Sequence, residues 1–389
     1  MNYILFDGIV RTSLLPLTYI RPVADIRVGI LTIREKWEKF LGFTTTTITE
    51  EYLEEKYPMV EMEENVLLNA SFIPTVELVT LVKELKQNQA ILYNEELVAF
   101  YTTNTQEEVD FDTYEVIEIK TVLHQIKNTY DIFTFNDYAL KLDYEMLTEG
   151  RKSQLIPDTV QCINRDQIFL EEGVDISFAT LNASTGPIYI SKDSVIMEGC
   201  LIRGPFAMGK KSVLKMGAKV YGATTLGPRC TVGGEVNNVV LFGFSNKGHE
   251  GFLGNAVLGE WCNIGADTNN SNLKNNYAIV KLWNYEANRF TSTNLQFCGL
   301  IMGDHSKCGI NTMFNTGTVI GVSSNIYGSN FPRNFIPSFS WGGAAGFTTY
   351  NIEKAFETAE VMMKRRDKVL DEKEKAILEH VFNESKKYR

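Results

Sequence analysis

Of the four histidines in this 389-residue chain, His249 stands in a glycine-rich run, Ser245-Asn246-Lys247-Gly248-His249-Glu250-Gly251, fourteen residues after Glu235. An imidazole that titrates near neutrality suits removal of a proton from an attacking amine. A carboxylate close by would orient it and favour its cationic form, and backbone N–H groups in glycine-rich turns can receive a developing oxyanion. A second set of polar groups lies near the N-terminus, where Arg11, Thr18 and Arg21 are candidate contacts for a phosphate. Lys247, Lys274, Lys215 and Arg229 are further candidates for the same task. His305, in Gly303-Asp304-His305-Ser306, reads as a structural residue at an exposed turn. A zinc site needs three suitably spaced ligands, and only two histidines fall in the central part of the chain, so no metal site is predicted. The six cysteines are scattered with no C-x-x-C pair and read as reduced core residues.

These groups must be positioned by the elements around them, and the strongest signal there is a repeat. Stepping by six from Ile190 meets Ile196, Ile202, Met208, Leu214, Val220, Leu226 and Val232, with a mostly small residue four positions after each, such as Ser194, Cys200, Ser212 and Ala218. The pattern resumes at Phe252, Leu258 and Ile264, and again at Met302, Cys308, Phe314, Ile320 and Ile326. One aliphatic residue in every six can be buried only if successive turns of chain stack on one another. The two interruptions, Val232 to Phe252 and Ile264 to Met302, are each two residues more than a multiple of six, and each is expected to hold a loop leaving the coil.

Residues 1–150 alternate apolar runs (Tyr3-Ile4-Leu5-Phe6, Val66-Leu67-Leu68, Ala90-Ile91-Leu92-Tyr93) with helical stretches at 32–41 and 75–85, which predicts an α/β layer with a largely parallel sheet. Residues 151–345 hold the repeat. Residues 346–389 return to helical spacing, with Phe356, Ala359, Met363, Leu370, Ile377 and Val381 on one stripe, as expected of a helix or helical hairpin packed on the coils. The net charge of −10 argues against a nucleic-acid partner. No run approaches the ~18 apolar residues of a membrane helix. The N-terminus, Met1 to Asp7, reads as a buried strand without a basic flank or cleavage site, so the expectation is a cytoplasmic protein with no membrane contact.

The repeat segment resembles the hexapeptide-repeat acyltransferases, which implies a left-handed parallel β-helix and a homotrimer with active sites between neighbouring subunits. Around His249 the resemblance narrows to the acetyltransferase half of the bifunctional uridyltransferase and glucosamine-1-phosphate acetyltransferase family. Gly248-His249 stands ahead of Phe252-Leu253-Gly254, Glu235 lies fourteen residues before the histidine, and Asn263-Ile264-Gly265-Ala266-Asp267-Thr268 runs on to Asn272. The resemblance implies that His249 is the general base, that Glu235, Asn263 and Asn272 hold an amino sugar, and that Ala266 borders acetyl-CoA. Three positions depart from the family: Phe252 and Leu273 replace tyrosines, and Asn237 replaces a lysine.

Leu14-Leu15-Pro16-Leu17-Thr18-Tyr19-Ile20-Arg21-Pro22 resembles the L-x-P-L-T-x-x-R-P stretch of sugar-phosphate nucleotidyltransferases, and residues 21–32 resemble a divergent bacterial branch of the bifunctional family. Nucleotidyl transfer needs backbone N–H groups cradling phosphates, a cation and an acid for Mg²⁺. Here the glycine-rich loop is Gly8-Ile9-Val10-Arg11-Thr12-Ser13, the lysine after Arg-Pro is Val23, and the metal aspartate position is Ser71. Arg11, Arg21 and Arg27 are substitutes for the lost cations or partners of carboxylates such as Asp7 and Asp25. The expected activity is acetyl-CoA-dependent N-acetylation of an amino-sugar phosphate beside a degenerate nucleotidyltransferase domain. The alternatives are a Mg²⁺-dependent sugar-1-phosphate nucleotidyltransferase that binds a nucleotide sugar, alone or bifunctional, and a non-catalytic trimeric binding protein.

Overall fold

A computed structural model describes residues 1–103 and 111–389. The first domain is a six-stranded sheet, β1 (Asn2–Phe6), β2 (Thr46–Ile48), β3 (Asn65–Asn69), β4 (Gln89–Tyr93), β5 (Glu96–Thr102) and β6 (Glu115–Glu118), in the order β2-β1-β3-β5-β4-β6. The helices are α1 (Ile33–Leu41), α2 (Glu51–Glu54), α3 (Val76–Glu84), α4 (Asp131–Thr134) and α5 (Asn136–Thr148). The two predicted long helices start where their caps say. Thr32 and Glu35 form a reciprocal capping box on α1, and the Thr75 side chain accepts from the Leu78 N–H at the start of α3. The largely parallel sheet expected from the sequence is mixed: β1 runs parallel to β2 and β3, but β5 is antiparallel to both β3 and β4. The cause is a two-residue hairpin, in which Asn94 and Glu95 both take positive φ (49° and 66°), the geometry that matches strand twist.

From 161 to 342 the chain winds through a parallel β-solenoid of about ten turns. Each turn has three faces; the first and third each send one strand residue inward, and the second sends two, such as Ile188 and Ile190 on either side of outward Tyr189. On the first face Leu181, Ile202, Val220, Val236 and Leu253 stack in register. The second stacks Ile190, Met208, Leu226, Leu241 and Leu258, and the third Ile196, Leu214, Val232 and Lys247. One corner shows why the repeat is so regular. Asp193, Lys211, Arg229, Phe244, Trp261, His305, Ser323 and Phe339 all take φ between 52° and 62°, and the N–H of each donates to the coil before it.

The second interruption of the repeat does leave the coil, as an antiparallel hairpin pairing 281–284 with 289–292. The first does not, contrary to the expectation. Val220 pairs with Val236, Leu226 with Leu241 and Val232 with Lys247, so this coil is two to three residues shorter than the regular 18. The strands at 235–243 and 252–260 run continuously across a corner, which tightens the turn. The phase shifts with it: Leu253, not Phe252, is the inward residue.

The second face is buried on its outside as well. Phe169, Tyr189, Ala207, Thr225, Val240, Val257, Ile301 and Val319 point away from the coil and are covered. The first domain covers much of this face, with Leu140 and Tyr144 of α5 packing on Phe169, Tyr189 and Ala207. Asn136 ties the contact, accepting from the Gly29 N–H at 2.7 Å and donating to the Ala223 carbonyl at 2.9 Å. Helices α6 (Ile352–Lys364) and α7 (Glu372–Glu384) complete the cover, and Ala359, Met363, Leu370, Ile377 and Val381 of the predicted stripe are buried. His305 is 6% exposed, not at an exposed turn: its corner lies beneath Arg21, Lys56 and α7. None of the described helices is long and apolar enough to cross a membrane.

Candidate active site

The Glu235 and His249 turns are stacked on each other. Chain leaving the third face must turn sharply before the next first-face strand, and Gly234 does so with φ of 72°. A Cβ there would lie 2.7 Å from the His249 carbonyl oxygen, so the His249 turn rests directly on the residue that precedes Glu235. Gly251 closes the next turn at φ 113°, where a Cβ would meet the Thr268 carbonyl at 2.2 Å. The His249 side chain is exposed.

Glu235 is half-buried at the start of its strand and accepts a 2.6 Å hydrogen bond from the Tyr221 hydroxyl of the coil before it. That bond, followed by burial, pushes the Tyr221 phenol up to about 12. Both residues line a groove of about 980 Å³ between the first face and the α4–α5 corner of the first domain. Arg203, Lys219, Asn237 and Asn255 line it too. Lys219 also pairs with Glu250 at 3.5 Å, linking the groove to the His249 turn. The groove thus offers two cations, two carboxylates (Glu235 and Asp137), a phenol and carboxamides, a polar set that a phosphate-bearing sugar could engage through its cations and hydroxyls.

The other predicted residues divide. Asn272 reaches the groove at one remove, donating to the Asn255 side chain at 2.8 Å. Asn263 does not: it bridges Asn246 and Lys307 on the third face and lines a different cavity. The Ala266 carbonyl accepts from the Asn311 N–H at 2.8 Å in the turn after the third face. Lys247 is no surface contact for a phosphate. It is 1% exposed and points into the coil above Val232, and its ammonium donates to the His249 and Glu250 carbonyls. Burial pushes it down to about 8. Arg203, Lys219 and Tyr221 were missed by the sequence reading, because a step of six finds only inward residues. A step of eighteen over the outward first-face positions would have aligned Arg203 and Tyr221.

In the first domain the candidate cations are spent on the protein itself. Arg11 is buried, donates to Asp7 at 2.8 Å and to the Arg21 carbonyl at 3.1 Å, and receives a 3.5 Å ion pair from Glu50. Asp7 in turn accepts from the Thr49 hydroxyl and the Val23 N–H. Thr18 is fully buried and donates to the Arg11 carbonyl. Arg21 grips Asp304 of the coil with both terminal nitrogens, at 3.0 and 2.5 Å, and lies over the Phe242 ring at 5.1 Å. Arg11 and Arg21 are therefore corrected from phosphate contacts to structural ties. Ser71, at the metal aspartate position, is buried and bonded to Asn69 and Gln125. The cavity beside Arg11, about 600 Å³, is walled by Glu50, Glu51 and Glu384, with His380 of α7 stacked on Tyr52 at 3.9 Å. Three carboxylates beside one committed arginine repel a triphosphate. Among the described residues there is no cluster of three His, Cys, Asp or Glu side chains that could hold a metal ion.

Residues 3–152 match the family model described as sugar nucleotidyl transferase. A stretch of 87 residues, 22% of this chain, is 32% identical to the bifunctional protein GlmU of Methanocaldococcus jannaschii and spans 21% of that protein's length. The similarity to sugar nucleotidyl transferases thus lies in the first domain, residues 3–152.

Proposed function

We propose that this protein transfers the acetyl group of acetyl-CoA to the amine of an amino-sugar phosphate, in the groove beside Glu235, and that it works as a homotrimer. The observation that carries this reading is the stacking of the His249 turn on Gly234 and Glu235 at the edge of a 980 Å³ groove with its own cations. The neutral amine attacks the thioester carbonyl, a C–N bond forms, and the C–S bond breaks. His249 takes the proton from the attacking nitrogen and returns it to the departing thiolate. Glu235, fixed by Tyr221, holds the sugar amine or a hydroxyl, while Arg203 and Lys219 face the phosphate. The first domain, with its arginines committed, serves as a retained scaffold.

The test is release of free thiol from acetyl-CoA in the presence of glucosamine 1-phosphate, with His249→Ala alongside. Sugar-dependent release that disappears in the variant supports the reading. No release with several amino-sugar phosphates, from folded protein, refutes it and favours the non-catalytic binding protein. The family match favours a second reading, nucleotidyl transfer in the first domain. Its test is Mg²⁺-dependent pyrophosphate release from a nucleoside triphosphate and a sugar 1-phosphate.

A further inference from the structure

A second cavity, about 340 Å³, lies between the third face of the coil and the end of α6. Its polar lining is Asn246, Asn263, Lys307, Thr358, Arg365 and Arg366, with Trp261 as an aromatic wall, and no acidic side chain lines it. Basic residues at Arg365 and Arg366 are ordinary after the last turn of a helix, where they offset the carbonyl end. Lys307 has no such reason to be there. It belongs to the coil, at an outward position of a short third-face strand, and its ammonium donates to the His305 carbonyl at 2.6 Å. Burial holds it down to about 8. A desolvated ammonium costs free energy unless an anion accompanies it, and the coil brings none to this cavity. Arg366 is already oriented, donating to Asn246 at 3.4 Å. Trp261 is held rigid by stacking on Phe244 at 4.3 Å.

We propose that this cavity is a binding site for a phosphate or diphosphate ester, with Lys307, Arg365 and Arg366 neutralising the anion and Asn246 and Asn263 donating from the coil. The site is separate from the Glu235 groove and does not depend on acetyl transfer. A nucleotide and a sugar phosphate share the chemistry that would be recognised.

Isothermal titration with inorganic pyrophosphate, ADP and glucosamine 1-phosphate tests it, using wild-type protein, Lys307→Met, the double variant Arg365→Ala/Arg366→Ala, and His249→Ala. The expected result is saturable pyrophosphate binding that weakens at least about tenfold in Lys307→Met and in the double variant and is unchanged in His249→Ala. A larger loss of ADP affinity than of sugar-phosphate affinity in the arginine double variant identifies a nucleotide as the source of the anion, and the reverse identifies a sugar phosphate. Absence of saturable binding, or binding equal to wild type in the arginine double variant, overturns the proposal. The double variant keeps the test decisive if Lys307→Met fails to fold.

Discussion

Replacing Lys247 by methionine tests how the coil holds the His249 turn. The side chain occupies an inward position that an aliphatic residue fills in the coil before it, and its ammonium serves two turn carbonyls. Burial lowers its pKa from 10.5 to about 8, which is on the order of 3 kcal/mol between the two protonation states. The folded protein therefore binds fewer protons than the unfolded chain between pH 8 and 10.5. Stability contributed by this group rises with pH across that window and is lost as pH falls through about 8. Methionine abolishes that dependence and orphans two carbonyls, at roughly 1–3 kcal/mol each. At pH 7 relief of the buried charge offsets the lost hydrogen bonds, so the variant should stay within about 2 kcal/mol of wild type. By pH 10 wild type should lead by up to about 3 kcal/mol more than at pH 7. Urea unfolding of both proteins at pH 7, 8, 9 and 10 reads this difference. A wild-type-minus-variant stability that is flat with pH, or that falls as pH rises, would refute the argument.

Two other expectations follow from single contacts. Arg21→Leu leaves Asp304 as an uncompensated buried carboxylate and should cost about 3–5 kcal/mol, while Arg21→Leu/Asp304→Leu should recover most of that loss; equal unfolding midpoints for the single and double variants would show that the pair does not act as a unit. Gly234→Ala forces a positive φ on an L residue and drives its Cβ against the His249 carbonyl, so it should cost at least about 1–2 kcal/mol. It should also lower acetyl transfer to glucosamine 1-phosphate in the thiol-release assay more than it lowers the melting temperature would explain, and wild-type turnover in the variant would count against the stacked arrangement of the two turns.

Part of the candidate site was legible in the chain. The fourteen-residue interval from Glu235 to His249 is nearly one coil, so the two must lie on adjacent turns, and they do. Lys247 was misread for the same reason that the first interruption was. A coil that shortens to 15 or 16 residues moves every later residue to a new phase, and the ammonium that looked outward became an inward strut. Asn263 was grouped with Glu235 by motif, yet it sits on another face, since neighbours in sequence separate by a third of a turn within six residues. The groove itself was invisible because its far wall comes from α4 and α5.

By itself the sequence determined what is local and periodic: the inward aliphatic column, the capped starts of α1 and α3, and the apolar stripe of α6 and α7. Each is a demand a segment makes on its own immediate neighbours, so spacing alone expresses it. The tertiary structure decided the fate of the charges. Arg21 could have faced a phosphate, but Asp304, 283 residues further on, meets it at the junction of domain and coil. Arg11 is held by Asp7, and His305 is buried by α7 and the first domain. A charge takes whatever counter-charge the fold brings within a few ångströms, because desolvation makes any other arrangement costly, and no spacing along the chain records which residue that will be.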